Sequence, residues 1–245
     1  MGDLGDVYDK ARTDVAQIVS ELSETELARR VPATPDWTIK DVVAHLTGIA
    51  ERAVAGDFPV EFFGAYGQDK GVRVLNDWTD RQVSARAGAD LHDILMEWEK
   101  HAGALVPMIR GDAEWPQGAP AFGDRMLITD IAAHLHDVYG ALGLKKGRGD
   151  PPVKIGLTSY LGGMDLRMKS KGAPAIEFRV EDRSWTIGGD RPEARVSAPT
   201  RFELFRALSG RRSPDQIKAL EWNGDPGPFI EYFYPYGIRP EPLEE

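Results

Sequence analysis

A helical domain over residues 1–148 followed by a smaller α+β domain over residues 149–245 is the fold class the sequence predicts. Three observations carry that expectation. In the first domain apolar residues recur at helical spacing in one long stretch after another. Beyond it, short alternating runs take over. Between the two lies the charged, Gly- and Pro-rich KKGRGDPP (145–152), which cannot continue a helix and favours exposed loop.

The elements follow in order. GDVYDKARTDVAQIVSEL (5–22) sets Val7, Ala11, Val15, Ile18, Val19 and Leu22 along one face with polar residues opposite. PDWTIKDVVAHLTGIAERAVAG (35–56) predicts a second helix, with Thr38 as N-cap, Asp41 three residues on as the capping-box acid, and Gly56 near its end. Two further helical stretches fall at about 75–86 and 89–110, and a long helix at about 124–142 is closed by Gly143. In the second domain AIEFRVED (175–182) and SWTIGGD (184–190) alternate like the strands of a hairpin, and EARVSAP (193–199) is a third short strand. TRFELFRALSGRR (200–212) is an amphipathic helix carrying Phe202, Leu204, Phe205 and Leu208, while LEWNGD and PFIEYFYPYG complete the module. No internal repeat is visible.

A chain of 245 residues, 42% hydrophobic and 28% charged, has the length and balance of a soluble globular protein with a sizeable core. No apolar run approaches the roughly 18–20 residues of a membrane span. The opening MGDLGDVYDK has neither the basic nor the apolar region of a secretion signal, so a cytoplasmic location without membrane association is expected. Asp6 stands where an N-myristoylation start requires Ser or Thr, which removes that motif. A net charge of −9 offers no broad basic field and excludes nucleic acid as the natural partner. Small molecules are the expected partners, bound by a monomer or homodimer. With no cysteine, disulfides, cysteine-ligated metals and a cysteine nucleophile are excluded, and any thiol chemistry must use a thiol brought in by a small molecule.

Metal ligands on one helix face stand three or four residues apart. Asp41 with His45, Glu97 with His101, and Asp130 with His134 all satisfy that, so spacing alone does not discriminate. Glu97 and His101, crowded by Glu99 and Lys100, read as a solvated face with a helical ion pair; His92 has no second donor at ligand spacing; Asp41 is taken by the cap. His45 lies at the border of the apolar face formed by Val42, Leu46, Ile49 and Ala53, either as a satisfied boundary histidine or looking into a groove between helices. The informative stretch is TDIAAHLHDVYG (129–140). Asp130, His134 and Asp137 fall at i, i+4 and i+7 as one polar stripe beside the apolar stripe of Ile131, Leu135, Val138 and Leu142, while His136 points to an exposed or boundary position. Three ionisable groups on so apolar a helix would be costly to bury unless paired or metal-bound, so the pattern requires a buried hydrogen-bond network or a metal. In the metal reading Asp130 and His134 supply two ligands and His45 a third. One position stays open, as at catalytic zinc, and Asp137 stands behind the ligands or faces substrate.

VPATPDWTIKDVVAHLTGIAERA (31–53) is similar to the signature of the mycothiol-dependent maleylpyruvate isomerase family, and ITDIAAHLHDVYGALG (128–143) resembles the fourth-helix motif of the same family. ARVSAPTRFELFRALSGRR followed by LEWNGD resembles its second domain. The resemblance implies a DinB-like four-helix bundle joined to a sterol-carrier-like domain, with metal ligands at His45, Asp130 and His134 and with Asp137 following three residues later. The family's isomerases carry Glu where this chain has Asp130, one methylene shorter, so an ion would sit closer to the helix or be held through water. The implied activity uses zinc, or another divalent ion such as nickel or iron, together with mycothiol. The thiol adds to a small electrophilic or dienoic acid, giving cis–trans isomerisation or thiol transfer. An anionic substrate needs cations; Arg211 and Arg212 of SGRR, and Arg52 two turns beyond His45, are the candidates, although a basic helix C-terminus also accounts for the SGRR pair. FGAYGQDKG (63–71) and EWPQGAPAFGD (114–124) are the loops expected to shape the pocket. Two other readings stay open: a hydrolase or cyclase whose metal activates water, and a non-catalytic protein enclosing an apolar ligand.

Overall fold

In the computed structural model of the protein, which describes residues 3–245, the Asp3 carboxylate accepts from the N–H groups of Gly5 and Asp6 and so starts helix α1 (Leu4–Ser20). Gly2, the residue an acylation motif would modify, lies outside the described residues. A single turn, α2 (Glu24–Leu27), and a two-stranded hairpin of β1 (Arg30–Val31) and β2 (Thr34–Thr38) lead into α3 (Ile39–Ala55). There the predicted capping box forms: Thr38 Oγ1 accepts from the Asp41 N–H at 3.1 Å, and the Asp41 carboxylate accepts from the Thr38 N–H at 2.8 Å. Gly56, at φ 75°, ends the helix in the left-handed conformation. Helices α4 (Val60–Gly64), α5 (Asp69–Ser84), α6 (Leu91–Arg110) and α7 (Gly123–Ala141) follow. Helix α5 begins earlier than its apolar pattern suggests, because Gln68 at its N-cap makes no side-chain cap bond to mark the start.

Helices α1, α3, α6 and α7 pack around one core containing Val15, Val42, Ile94, Trp98, Leu127 and Ile131. Each such side chain contributes roughly 1.5–3 kcal/mol by leaving water. Trp98 is fully buried, and its indole N–H donates to the Tyr8 hydroxyl at 3.2 Å.

After the loop at 142–150 comes α8 (Pro151–Lys171), a long helix absent from the sequence expectation. Its apolar residues are not gathered on one stripe, because it is covered on two sides. Ile155 reaches the first core, whereas Val153, Leu157, Leu161, Met164 and Met168 enter a second. The second core is completed by a sheet of β3 (Ala175–Val180), β4 (Arg183–Ile187), β5 (Pro192–Ser197) and β6 (Glu221–Asn223), in the order β4-β3-β5-β6. The predicted β3–β4 hairpin is antiparallel with Phe178 opposite Trp185, β5 runs parallel to β3, and β6 closes antiparallel on β5. Helix α9 (Arg201–Leu208), the turn α10 (Pro214–Lys218) and a 3₁₀ segment (Gly227–Phe233) cover it.

Ala132 and Ala133 of α7 belong to the second core while Ile128, Ile131, Leu135 and Val138 belong to the first. Helix α7 is therefore a wall shared by both. Its polar stripe is buried between them, and no helix among the described residues is long and apolar enough to cross a membrane.

Candidate metal centre

Helices α3 and α7 bring His45, Asp130 and His134 together, with one ligand atom of each within 4.8 Å of the others. His45 Nε2 lies 3.6 Å from Asp130 Oδ2, and His134 Nε2 lies 3.7 Å from Asp130 Oδ1. Donors sharing a tetrahedral ion at about 2.0–2.1 Å stand about 3.3–3.4 Å apart; the two Asp130 contacts are close to that, while the full set, spread over up to 4.8 Å, must draw together to hold an ion. The shorter carboxylate of Asp130 thus reaches both imidazoles. His45 is 2% exposed, and its Nε2 and the Asp130 Oδ2 are buried without a hydrogen-bond partner. Buried polar atoms are ordinarily paired; these two point at each other's neighbourhood and at nothing else.

Each imidazole is oriented from behind. Gln82 of α5 places Oε1 2.8 Å from His45 Nδ1, so that Nδ1 carries the proton and Nε2 the lone pair. Gly48 of α3 makes room for this contact: a Cβ there would stand 2.5 Å from the Gln82 Cβ. Burial pushes the His45 pKa below the ordinary imidazole range, keeping the ring neutral as a metal ligand must be. Asp137 Oδ2 stands 3.0 Å from His134 Nδ1, off the line of a straight N–H···O bond. The Trp37 ring covers both, with centroids 4.8 Å from His45 and 5.8 Å from His134, while the side chain of Asp130, 24% exposed, opens the cluster outward.

One turn along α7, Asp137 is fully enclosed by cations of the second core. Its Oδ1 accepts from Arg206 Nη2 at 2.8 Å and its Oδ2 from Arg211 Nη2 at 2.9 Å. Burial alone would raise its pKa; Arg211 and Arg206 overturn that and hold the carboxyl well below the usual carboxylate range. Arg206 is also held by Glu245, with Nε donating to Oε2 at 2.9 Å.

The structure separates the three candidate arginines. Arg211 touches Asp137, and its charge reaches Asp130. Arg212 is committed elsewhere, to Glu203 at 2.9 Å and Glu245 at 3.0 Å, and Arg52 pairs with Asp57 near the surface. His136 corrects the expectation of an exposed or boundary position. It is 4% exposed under Phe202 at 4.8 Å, because the second core packs on that side of α7, and burial pushes its pKa down to about 3. His92 is exposed, as its sequence context predicts, whereas His101 is 19% exposed and its neighbour Glu97, 3.7 Å away, is bonded to the buried Arg86. The two loops expected near the pocket meet through Phe63 and Phe122, edge to face at 5.2 Å, and the first also carries Tyr66. Gln82, Arg206, Tyr160 and Tyr236 were not singled out from sequence; their significance depends on partners far away in the chain.

The model of the mycothiol maleylpyruvate isomerase N-terminal domain matches residues 8–139. Among solved structures, the chain is similar to a mycothiol-dependent maleylpyruvate isomerase at 14% identity and a TM-score of 0.55, covering 90% of this chain and 91% of that one. A histidine-to-alanine mutant of such an isomerase aligns at 13% identity and a TM-score of 0.56 over the same shares. At these identities the likeness concerns the fold across both halves. No curated protein matches the chain in sequence.

Proposed function

This chain belongs to the mycothiol maleylpyruvate isomerase family, and from that premise we propose that it is a metal-dependent enzyme that uses mycothiol on a small dienoic or otherwise electrophilic acid. The reaction is cis–trans isomerisation or thiol transfer. The observation that carries the reading is the convergence of His45, Asp130 and His134 with buried donor atoms left unpaired.

In this reading residues 1–148 form a DinB-like bundle, residues 149–245 a sterol-carrier-like domain, and zinc or another divalent ion takes the three donors. Such an ion lowers the pKa of a thiol bound to it, supplying a thiolate at neutral pH in a chain that has no cysteine. The protein's own residues do the rest. Gln82 and Asp137 hold the two imidazoles in orientation, and Trp37 shields them from water on one side. Arg211, anchored on Asp137 and on the Ser209 carbonyl, keeps donors free for a substrate carboxylate.

Metal content and thiol dependence measured together test this. Protein prepared without chelator should hold about one divalent ion per chain, and His45→Ala should hold almost none. Zinc-loaded protein with mycothiol should convert a cis-dienoic keto acid, or consume thiol with an electrophile, more than about 10³-fold faster than His45→Ala. Turnover of an activated ester with no thiol present would overturn the mycothiol reading in favour of metal-activated water. Metal far below one per chain, unchanged by His45→Ala, would leave a binding protein.

A further inference from the structure

Two phenols from distant parts of the chain meet beside the candidate centre. Tyr160 of α8 is 5% exposed, and Tyr236, just beyond the 3₁₀ segment, is half-buried; their hydroxyl oxygens are 3.4 Å apart. Two phenols own two protons, and the bond between them uses one. Whichever hydroxyl donates, the proton of the other has no acceptor among the described residues. Packing does not require the hydroxyls: Phe205 lies 5.8 Å from the Tyr160 ring and Phe62 stacks on Tyr236 at 6.1 Å, surroundings in which phenylalanine would serve as well. The second proton, in a part-buried setting, is available to an acceptor arriving from outside the protein.

The surroundings define that acceptor. The charges of Asp130 and Arg211 both act on Tyr160 and on Tyr236, so the pair lies within electrostatic reach of the cluster. Burial keeps both phenols protonated above the ordinary tyrosine range against the opposing charge of Arg211, so the pair donates at any physiological pH. Tyr236 is delivered by a segment tied down on both flanks. Before it, Tyr234 donates its hydroxyl to the Arg212 carbonyl at 2.8 Å; after it, Arg239 donates to the Pro32 carbonyl at 2.8 Å. The donor is thus fixed relative to both cores. It suits a neutral oxygen such as a carbonyl, the guanidinium of Arg211 being the better match for a carboxylate.

We propose that the Tyr160–Tyr236 pair donates a hydrogen bond to the carbonyl oxygen of a conjugated keto acid and so selects substrates whose reacting double bond is conjugated with that carbonyl. The inference rests on the function proposed above. When a nucleophile adds to a conjugated carbon–carbon double bond, electron density moves onto the carbonyl oxygen. A donor fixed there contributes more to the transition state than to the bound substrate.

Tyr160→Phe and Tyr236→Phe in the zinc-loaded full chain, at saturating mycothiol, test the pair. Each should lower kcat for a cis-dienoic keto acid about 10²-fold while KM changes less than about threefold, with metal content and Tm as in the unaltered protein. A second measurement needs no turnover. Trans-benzylidenepyruvate added without thiol should show a red-shifted absorption band on the unaltered protein, and the shift should vanish in Tyr236→Phe, which perturbs packing least. A kcat within twofold of the unaltered protein in both variants, or no band shift on the unaltered protein, overturns the assignment. If the unaltered protein neither converts a dienoic acid nor consumes thiol with an electrophile, the proposed function falls, while the band shift still decides the phenol pair.

Discussion

Asp130 and Asp137 stand on the same face of α7, two turns apart, and the protein treats them in opposite ways. Asp137 is surrounded: two guanidinium groups from the second core neutralise it, Glu245 balances Arg206 in turn, and none of these side chains has more than a tenth of its surface exposed. Asp130 faces two imidazoles at 3.6 and 3.7 Å, beyond hydrogen-bond distance, and keeps a buried oxygen without a partner. Burial penalises the charge in both clusters, more at the enclosed Asp137, but only there is it offset inside the chain. The compensated cluster is scaffold, apart from the Arg211 donors left over for substrate. The uncompensated one is where a ligand must supply the missing interaction.

The largest effect expected from this contrast lies on the scaffold side. Asp137→Asn removes the charge that two buried guanidinium groups share, and breaking a buried pair by changing one partner costs about 3–5 kcal/mol. Urea unfolding should show that loss as a fall in midpoint with m unchanged. The equivalent change at the open cluster, Asp130→Asn, should cost far less in metal-free protein, because no bond within hydrogen-bonding distance is lost there. Equal losses for the two variants would erase the distinction.

A smaller effect separates orientation from coordination. Gln82→Leu keeps the volume against Gly48 but removes the acceptor on His45 Nδ1, leaving the imidazole free to present the wrong tautomer. Loss of such a supporting partner typically weakens metal binding about 10–100-fold, which competition with a chromophoric chelator would measure. Unchanged affinity would mean that the helix backbone alone aims His45. The buried Gln82 Nε2, which has no partner either, marks this amide as placed for His45 and not for a network of its own.

Where sequence reading succeeded and failed follows the same physics. The bundle helices were legible because each buries one face, so that period 3.6 survives in Val7, Ala11 and Val15 or in Val42, Leu46 and Ile49. Helix α8 was not, since burial on two sides spreads Val153, Leu157, Tyr160 and Leu161 around its circumference. The same double coverage hid His136, which a single-faced α7 would have left at the boundary. Asp130 and His134 stood out as ionisable groups on an otherwise apolar helix and His45 as a border histidine able to join them, and the resemblance carried by Trp37 and Thr38 implied the same set. Gln82, Arg206, Tyr160 and Tyr236 carry no local signal: each gains its role from a residue between 37 and 76 positions away.

The smallest expected effect concerns Arg52, which the sequence placed on the His45 face as a cation for an anionic substrate. In the structure its guanidinium pairs with Asp57, with the two side chains 30% and 48% exposed. An exposed pair of this kind is screened by solvent and contributes roughly 0–1 kcal/mol, in contrast with the enclosed cations on Asp137. Arg52→Ala should therefore leave metal content unaltered, lower stability by less than about 1 kcal/mol, and leave KM for an anionic substrate within about twofold. Arg211→Ala in the same assay should raise KM strongly, since the donors not spent on Asp137 and Ser209 are then lost. A tenfold rise in KM for Arg52→Ala would mean that this side chain leaves Asp57 to meet the substrate. Exposure would then be no guide to idleness in this protein, and the separation of scaffold from site along α7 would need a cation from α3 as well.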